Sequence, residues 1–171
     1  GIGELRLGGA ISKLFASWET NRLVTLTEES GPGISDQRLS VWELKGLRLM
    51  AEEKHLDDKK IVVLRVFPND PRLFLGFDNG QVSIRDLNTW GELTTFEAHR
   101  DWVSDVQILR HSGNEWLLTA SNDRSLRIWA GDGSHLSRLQ RGHREPINQV
   151  TASEDGRYVI SKGERGEIKV W

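Results

Sequence analysis

Apolar and polar residues alternate in short runs along the chain, and the pattern is clearest between His99 and Trp129. The run from Trp102 to Leu109 alternates as a half-buried β-strand does. The turn clusters HSGN at 111–114 and NDR at 122–124 separate it from two further runs of strand type. So few strands cannot bury both faces of a sheet by themselves. The pattern therefore predicts neighbouring sheets of the same kind.

The same plan recurs four times along the chain. Residues 142–171 align with residues 98–129 almost position by position, and residues 61–87 align with 147–171 without a gap. The first copy, over residues 10–26, matches the first two strands. The copies begin at Ile11, Ile61, Val103 and Ile147, a period of roughly 42–50 residues. Repeats of this length, with four short strands each, predict an all-β array of propeller blades.

Two stretches carry a family resemblance, AH…SNDRSLRIW at 98–129 and GH…KVW at 142–171. They resemble WD repeats, whose blades begin near Gly-His and end near Trp-Asp, and the resemblance extends more weakly over the first two copies. It implies an all-β fold of about four WD-type, four-stranded antiparallel β-propeller blades. The implied units are a clasp strand at 1–10 and blades at 11–52, 53–97, 98–140 and 141–171.

In this family a buried tetrad of His, Ser or Thr, Asp and Trp is hydrogen-bonded within a blade. By the resemblance, the third copy contains the whole structural tetrad: His99, Ser121, Asp123 and Trp129. Two other copies contain partial tetrads, which are His143 with Trp171 in the fourth and Asp36 with Trp42 in the first. At the middle positions the fourth copy has Gly163 and Arg165. We therefore expect its tetrad to be incomplete.

Catalytic alternatives fail on the arrangement of the same residues. Ser121, His99 and Asp123 are the residue types of a nucleophilic triad, but Ser121 does not lie in a nucleophile elbow such as G-x-S-x-G. A satisfied polar network that specifies packing already accounts for them. The five histidines show no clustered ligand spacing, and no Gly-rich phosphate loop precedes a helix. The sequence predicts no catalytic residue, no metal and no cofactor.

The two ends of the array raise the question of how a ring would close. Glu4 to Leu7 has the pattern of a strand without a unit of its own, and the fourth copy ends after its third strand. We expect residues 1–10 either to complete blade 4, as the family's N-terminal strand often does, or to be the outer strand of a preceding blade. Four blades are few for this family. Either two copies form an eight-bladed ring as a homodimer, each clasping the other's last blade, or the chain is part of a larger propeller.

The candidate partner-binding rim lies in the turns predicted on one face of the blades. Its leading residue is Trp102, an aromatic beside Arg100 at the predicted channel mouth, for which packing between blades is the alternative role. The remaining candidates are Arg124, Arg144, Glu145 and Arg165. This rim is mixed and partly basic, so an acidic peptide segment is its natural partner. The insertion TEESGPGISDQR at 27–38 is predicted to be an acidic loop on the same face, used for recognition or simply tolerated.

Composition narrows the classes of protein. The chain of 171 residues is 37 % hydrophobic and 28 % charged with a formal charge of −2, which is typical of a core-forming globular protein. The absence of a basic block argues against a nucleic-acid surface. No apolar run approaches the ~18 residues of a membrane span, and the N-terminus shows no signal-peptide pattern. We expect a cytoplasmic location without membrane contact.

Three functions are compatible with these patterns. The leading prediction is a non-catalytic scaffold that binds a protein or peptide on the propeller face. The alternative is a sensor or regulatory module of a larger signalling protein that also has an NTPase or kinase domain. An enzymatic propeller would need a convergent carboxylate or metal cluster in the channel, and the sequence offers none.

Overall fold

The computed structural model describes residues 4–31, 34–54, 59–67, 70–134 and 136–171, and these form fifteen strands in four antiparallel sheets. The first sheet contains β1 (Ala10–Ser17), β2 (Arg22–Gly31), β3 (Ile34–Glu43) and β4 (Arg48–Lys54). The second contains β5 (Ile61–Val66), β6 (Arg72–Phe77), β7 (Gln81–Asp86) and β8 (Glu92–Glu97). The third contains β9 (Val103–His111), β10 (Asn114–Ser121), β11 (Ser125–Ala130) and β12 (Leu136–Arg141). The fourth contains β13 (Ile147–Ala152), β14 (Val159–Gly163) and β15 (Ile168–Val170).

Each sheet is a meander in which consecutive strands are neighbours, and we call the four sheets blades 1 to 4. This arrangement confirms the predicted all-β fold of four antiparallel units. The turn between the second and third strands repeats a left-handed residue at the same place in three blades: Gly80, Arg124 and Gly166 have φ of 88°, 67° and 84°. At Gly80 a Cβ would lie 2.3 Å from the carbonyl oxygen of His99, so glycine lets blade 2 touch the start of blade 3.

Three apolar cores lie between successive blades. The first joins blades 1 and 2, with Leu26 and Leu39 against Leu73 and Leu75. The second joins blades 2 and 3 and contains Trp129. The third joins blades 3 and 4, with Leu118 and Leu126 of blade 3 against Ile147 and Val150 of blade 4. A blade therefore buries both faces only when it has a neighbour on each side, as blades 2 and 3 do.

The insertion in blade 1 is a hairpin extension, which corrects the prediction of a loop at 27–38. Strands β2 and β3 stay paired from Arg22 opposite Glu43 to Gly31 opposite Ile34, and residues 32–33 lie outside the described residues. The extension is held by the side chain of Gln37. Its Oε1 accepts a hydrogen bond from the backbone N–H of Ile61 at 2.6 Å, and its Nε2 donates to the backbone carbonyl of Ile61 at 3.0 Å. These polar contacts stabilise a strand pair whose sequence lacks the apolar alternation of a strand.

Within the described residues, the predicted clasp is not formed. Residues 4–9 are not in a strand, residues 1–3 lie outside the described part, and blade 4 consists of β13, β14 and β15 alone. A clasp can pair with β15 only where blade 1 stands next to blade 4, and here the outward faces of both blades are exposed. Pairing of residues 1–10 with a second copy stays a prediction.

Candidate interaction face

A buried hydrogen-bonded network crosses blade 3 beneath the predicted rim. The indole Nε1–H of Trp129 donates to Oγ1 of Thr119 at 2.9 Å, and that hydroxyl lies 2.8 Å from Nε2 of His99. On the other side of the ring, Nδ1 of His99 lies 3.1 Å from Oδ2 of Asp123. A carboxylate only accepts, so the proton sits on Nδ1 and Nε2 receives the Thr119 proton. One arrangement of protons thus satisfies all four groups.

Ser121 is not part of this network, which corrects the predicted tetrad. Its hydroxyl donates to the carbonyl of Asp101 at 3.1 Å and accepts the backbone N–H of Asp123 at 3.0 Å, so it holds the turn. Thr119 and Ser121 point to the same face of β10 because they are two residues apart. The strand register decides which of the two hydroxyls reaches the tryptophan. Leu117 lies directly opposite Trp129, so Thr119, two residues further on, is the diagonal neighbour of Trp129. A sequence signal existed, since the fourth copy also has a hydroxyl at this position, Ser161.

Electrostatics keep the blade 3 network in one charge state. Burial lowers the pKa of His99 below 6.5, so the ring is neutral. Burial would raise the pKa of Asp123, but hydrogen bonds from His99 and Ser125 outweigh it and hold that pKa well below its usual range. The carboxylate also accepts the backbone N–H of Arg100 at 3.2 Å. The network therefore fixes the backbone from which the rim side chains project.

Blade 4 contains an equivalent network, although the sequence predicted an incomplete one. Nε1–H of Trp171 donates to Oγ of Ser161 at 2.9 Å, and that oxygen lies 2.7 Å from Nε2 of His143. Glu167 supplies the carboxylate, 3.0 Å from Nδ1 of His143, and it accepts the backbone N–H of Arg144 at 3.0 Å. These hydrogen bonds, first that from Arg144 and then that from His143, lower the pKa of Glu167. The sequence missed it because the glutamate stands two residues beyond the expected aspartate position.

Blades 1 and 2 depart further from the pattern. In blade 1, Trp42 donates to Oγ1 of Thr25 at 3.1 Å, but Asp36 lies opposite Glu29 in the extended hairpin instead of in a turn. This corrects the assignment of Asp36 to a tetrad, because the longer strands move that position along the hairpin. In blade 2, Arg85 stands in the place of the tryptophan and forms an ion pair with Glu53 of blade 1.

Trp102 lies at the edge of an open cleft of about 360 Å³. Its side chain is half exposed, and its backbone carbonyl accepts the N–H of Asn122 at 3.0 Å. The cleft is lined by residues of blades 1, 2 and 3. Glu28 belongs to the insertion that the sequence predicted to be acidic, whereas Lys13 and Lys60 were not among the predicted candidates. The ammonium of Lys60 lies 3.5 Å from the carboxylate of Glu28. We call this depression the Trp102 cleft.

The other rim candidates lie in the turns of blades 3 and 4. Three of them, Arg124, Arg144 and Arg165, are exposed, as is Arg100. Glu145 is half buried, and its carboxylate lies 3.5 Å from the guanidinium of Arg165. Arg144, Glu145 and Arg165 belong to blade 4 and do not line the Trp102 cleft. The structure therefore places the predicted rim as two parts, an aromatic cleft and a neighbouring set of charged turns.

Two kinds of feature are absent from the described residues. No group of three or more His, Cys, Asp or Glu side chains in this part of the chain is placed to hold a metal ion. The same residues contain no helix with the length and apolar character needed to cross a membrane.

Comparisons with known proteins agree with this geometry. The family model described as WD domain, G-beta repeat, matches residues 90–130 and 133–171. The Target of rapamycin complex subunit wat1 of Schizosaccharomyces pombe is 24 % identical over 138 residues, covering 80 % of this chain and 42 % of wat1. The Nuclear distribution protein PAC1 of Arthroderma otae is 25 % identical over 150 residues, covering 81 % of this chain and 32 % of PAC1. The chain thus spans less than half the length of these relatives.

Solved structures share the fold. The computationally designed Ika4 protein has a TM-score of 0.74 and 19 % identity, covering 97 % of this chain and 92 % of Ika4. The designed Ika8 protein has a TM-score of 0.73 and 20 % identity, covering 95 % of this chain and 45 % of Ika8. The WD40 β-propeller domain of Doa1 has a TM-score of 0.70 and 18 % identity, covering 90 % of this chain. The four stacked meanders are therefore β-propeller blades. The family match and the histidine networks identify WD repeats in residues 90–130 and 133–171, and the chain as a whole has the fold of a WD-repeat propeller.

Proposed function

We propose that this chain is a non-catalytic interaction module that binds a protein or peptide segment on the face carrying the Trp102 cleft and the charged turns of blade 4. The observation that carries the proposal is Trp102 itself, a large aromatic side chain left half exposed at the mouth of a cleft. Exposed aromatic residues beside a depression are frequent anchors of protein interfaces. The relative wat1, named as a subunit of a complex, supports the same role.

The charges around the cleft indicate the chemistry of the segment. Arg100 stands two residues before Trp102, and Arg124 lies in the turn whose Asn122 N–H bonds to the Trp102 carbonyl. Lys13 and Lys60 line the cleft, with Glu28 as the only acidic residue among its described lining residues. A segment with one apolar side chain for the cleft and acidic residues beside it would complement this surface. Since the backbone N–H groups of Arg100 and Arg144 are held by the carboxylates of Asp123 and Glu167, the surface is preorganised before it binds.

The test is selection of peptides from a displayed random library on the wild-type chain, followed by fluorescence anisotropy with the selected peptides. We expect Trp102→Ala to weaken binding roughly 30-fold or more, since loss of an anchor costs about 2 kcal/mol or more. Trp18→Ala is the matched control, because Trp18 is at least as exposed as Trp102 but lies in the turn between β1 and β2. It should leave affinity within about 2-fold.

Two results would contradict the proposal: selected peptides that bind Trp102→Ala and wild type equally, or peptides that depend on Trp18 instead. The cytoplasmic location and the alternative role as a regulatory module of a larger signalling protein stay predictions. Expression of a longer natural chain with an NTPase or kinase domain would favour that alternative over a separate scaffold.

A further inference from the structure

The two lysines that line the Trp102 cleft are in different electrostatic situations. Lys60 is paired within the chain, because its ammonium lies 3.5 Å from the carboxylate of Glu28. That carboxylate is itself held by the side-chain amide of Gln37, which donates to it at 3.3 Å. The side chain of Lys13 is half buried, and in the described part of the chain it forms neither an ion pair nor a hydrogen bond. Among the described residues that line the cleft, Lys13 is therefore the cation without a counter-charge.

The position of Lys13 in the repeat directs its side chain toward blade 2. The pairing register shifts at the same place in the first strand of all four blades, so residues two beyond each start position are equivalent. In blade 2 the equivalent is Val63, which lies in the core against blade 3, and in blade 3 it is Asp105, which accepts a backbone N–H of blade 4. Both side chains thus face the following blade. The uncovered side of β1 carries Ile11 and Leu14 instead.

The cleft spans three blades and presents a different chemistry on each. Blade 1 contributes Lys13, blade 2 contributes Ile61 and Val62, and blade 3 contributes Trp102. Blade 2 packs between the other two, so a segment that contacts both Lys13 and Trp102 crosses the apolar residues of blade 2. A cation at one end and an aromatic side chain at the other favour a ligand with a carboxylate and an apolar group in the matching order.

We propose that Lys13 determines the charge specificity of the Trp102 cleft: its ammonium pairs with an Asp or Glu side chain of the bound segment, while an apolar residue of that segment packs on Trp102. This inference rests on the proposed function, since it assigns one residue's role within the same site. A pair formed in a cleft is partly removed from water and is therefore stronger than a pair on an open surface. An acidic side chain gains less at Lys60, because it would have to displace Glu28.

The test is a double-mutant cycle, measured by fluorescence anisotropy with a peptide selected on the wild-type chain. Each acidic residue of that peptide is changed in turn to the corresponding amide. On the wild-type chain one of these changes should weaken binding about 10-fold, as the loss of a charged hydrogen bond does. On Lys13→Gln the same change should weaken binding by less than about 2-fold. The difference between the two ratios isolates the contact between Lys13 and that carboxylate.

Two control variants separate this contact from general attraction between charges. Lys45→Gln removes the same charge from an exposed lysine in the turn between β3 and β4, outside the cleft. Glu28→Gln combined with Lys60→Gln removes the internal ion pair and leaves the net charge of the cleft unchanged. Both should keep the roughly 10-fold preference for the acidic peptide.

A charge swap gives a rescue test that also reports on folding. In Lys13→Glu, a peptide with lysine in place of the critical acidic residue should bind better than the acidic peptide, because the two charges of the contact are exchanged. Binding of the lysine peptide shows at the same time that this variant is folded.

Three results would overturn the inference: selected peptides without an acidic residue, an acid preference that survives in Lys13→Gln, or a preference that Lys45→Gln lowers equally. A preference lost in Arg100→Gln but kept in Lys13→Gln would assign charge recognition to the turn beside Trp102. In each of these cases, peptides that lose affinity on Trp102→Ala leave the proposed function intact. Equal binding to Trp102→Ala and wild type contradicts the proposed function itself, so the two failures are separate results.

Discussion

Different residues perform the same task in the two histidine networks. In blade 3 the carboxylate that holds the ring of His99 comes from Asp123, and in blade 4 the one that holds His143 comes from Glu167. Glu167 stands where blade 3 has Ser125, and its extra methylene group spans the added distance. Both carboxylates also accept the backbone N–H that follows the histidine. The geometry of the bound atoms is therefore preserved while the residue and its position change.

Thr119→Val should destabilise the protein by about 2–6 kcal/mol, because two buried groups, Nε2 of His99 and Nε1–H of Trp129, lose their hydrogen-bond partner at about 1–3 kcal/mol each. Thr119→Ser keeps the hydroxyl, as Ser161 does in blade 4, and should cost about 1 kcal/mol for the lost methyl group. Urea denaturation of both variants measures the difference. Equal losses in the two variants would show that the hydroxyl is unimportant.

The free energy of unfolding should fall on acidification because the unfolded chain protonates His99 more readily than the folded protein does. The pKa of His99 is lower in the folded protein than the 6.5 of an unfolded chain, so the unfolded state binds the proton first. The neutral ring's contribution is fully present above pH 6.5 and is lost as the pH falls toward the folded-state pKa. Thermal unfolding between about pH 7.5 and pH 5.5 measures this slope, which should be shallower in His99→Gln. An unchanged slope in that variant would show that His99 is not the group responsible.

At the scale of elements, each pair of neighbouring blades combines an apolar core with a polar contact between strands. Gln37 joins blade 1 to the backbone of Ile61 in blade 2. Asp105, which is almost fully buried, links three blades, since it pairs with Arg65 of blade 2 at 2.8 Å and accepts the N–H of Val150 in blade 4. Apolar faces can slide along one another, but these directional contacts specify how the first strands are aligned.

Asp105→Ala should lower the free energy of unfolding by about 2–4 kcal/mol, because the buried N–H of Val150 loses its acceptor. The ion pair contributes less, since the Arg65 side chain is 43 % exposed and its charge is screened by solvent. Asp105→Asn keeps an acceptor and should lose roughly half as much. Denaturation gives the energies, and faster amide hydrogen exchange at Val150 in the alanine variant would locate the effect. Unchanged exchange there would contradict it.

At the scale of the whole molecule, the array is one-dimensional, since each apolar core among the described residues joins two successive blades. Blades 2 and 3 are covered on both faces, whereas blades 1 and 4 each leave one apolar face exposed. This follows from the repeat itself, because every blade presents one apolar face toward the blade before it and another toward the blade after it.

The sequence by itself determined the parts of this protein that depend on short-range pattern. The alternation of apolar residues and the period of the repeats predicted four antiparallel units, and the start positions Ile61, Val103 and Ile147 are the first residues of strands β5, β9 and β13. The histidine and tryptophan of the third and fourth copies were found because they recur at the same spacing. Strand burial and turn chemistry act between near neighbours, so they leave a readable pattern.

Tertiary structure alone decided what depends on register, reach and neighbouring blades. The choice of Thr119 over Ser121 follows from which residue lies diagonal to Trp129 across two strands, since both share one face of β10. Glu167 completes its network through the reach of its side chain, and the polar insertion of blade 1 pairs as a hairpin because Gln37 finds partners in blade 2. Packing between blades also decided which apolar faces are covered and which, on blades 1 and 4, are exposed. Alternation shows that a strand has an apolar face, but only the three-dimensional arrangement shows whether another blade covers it.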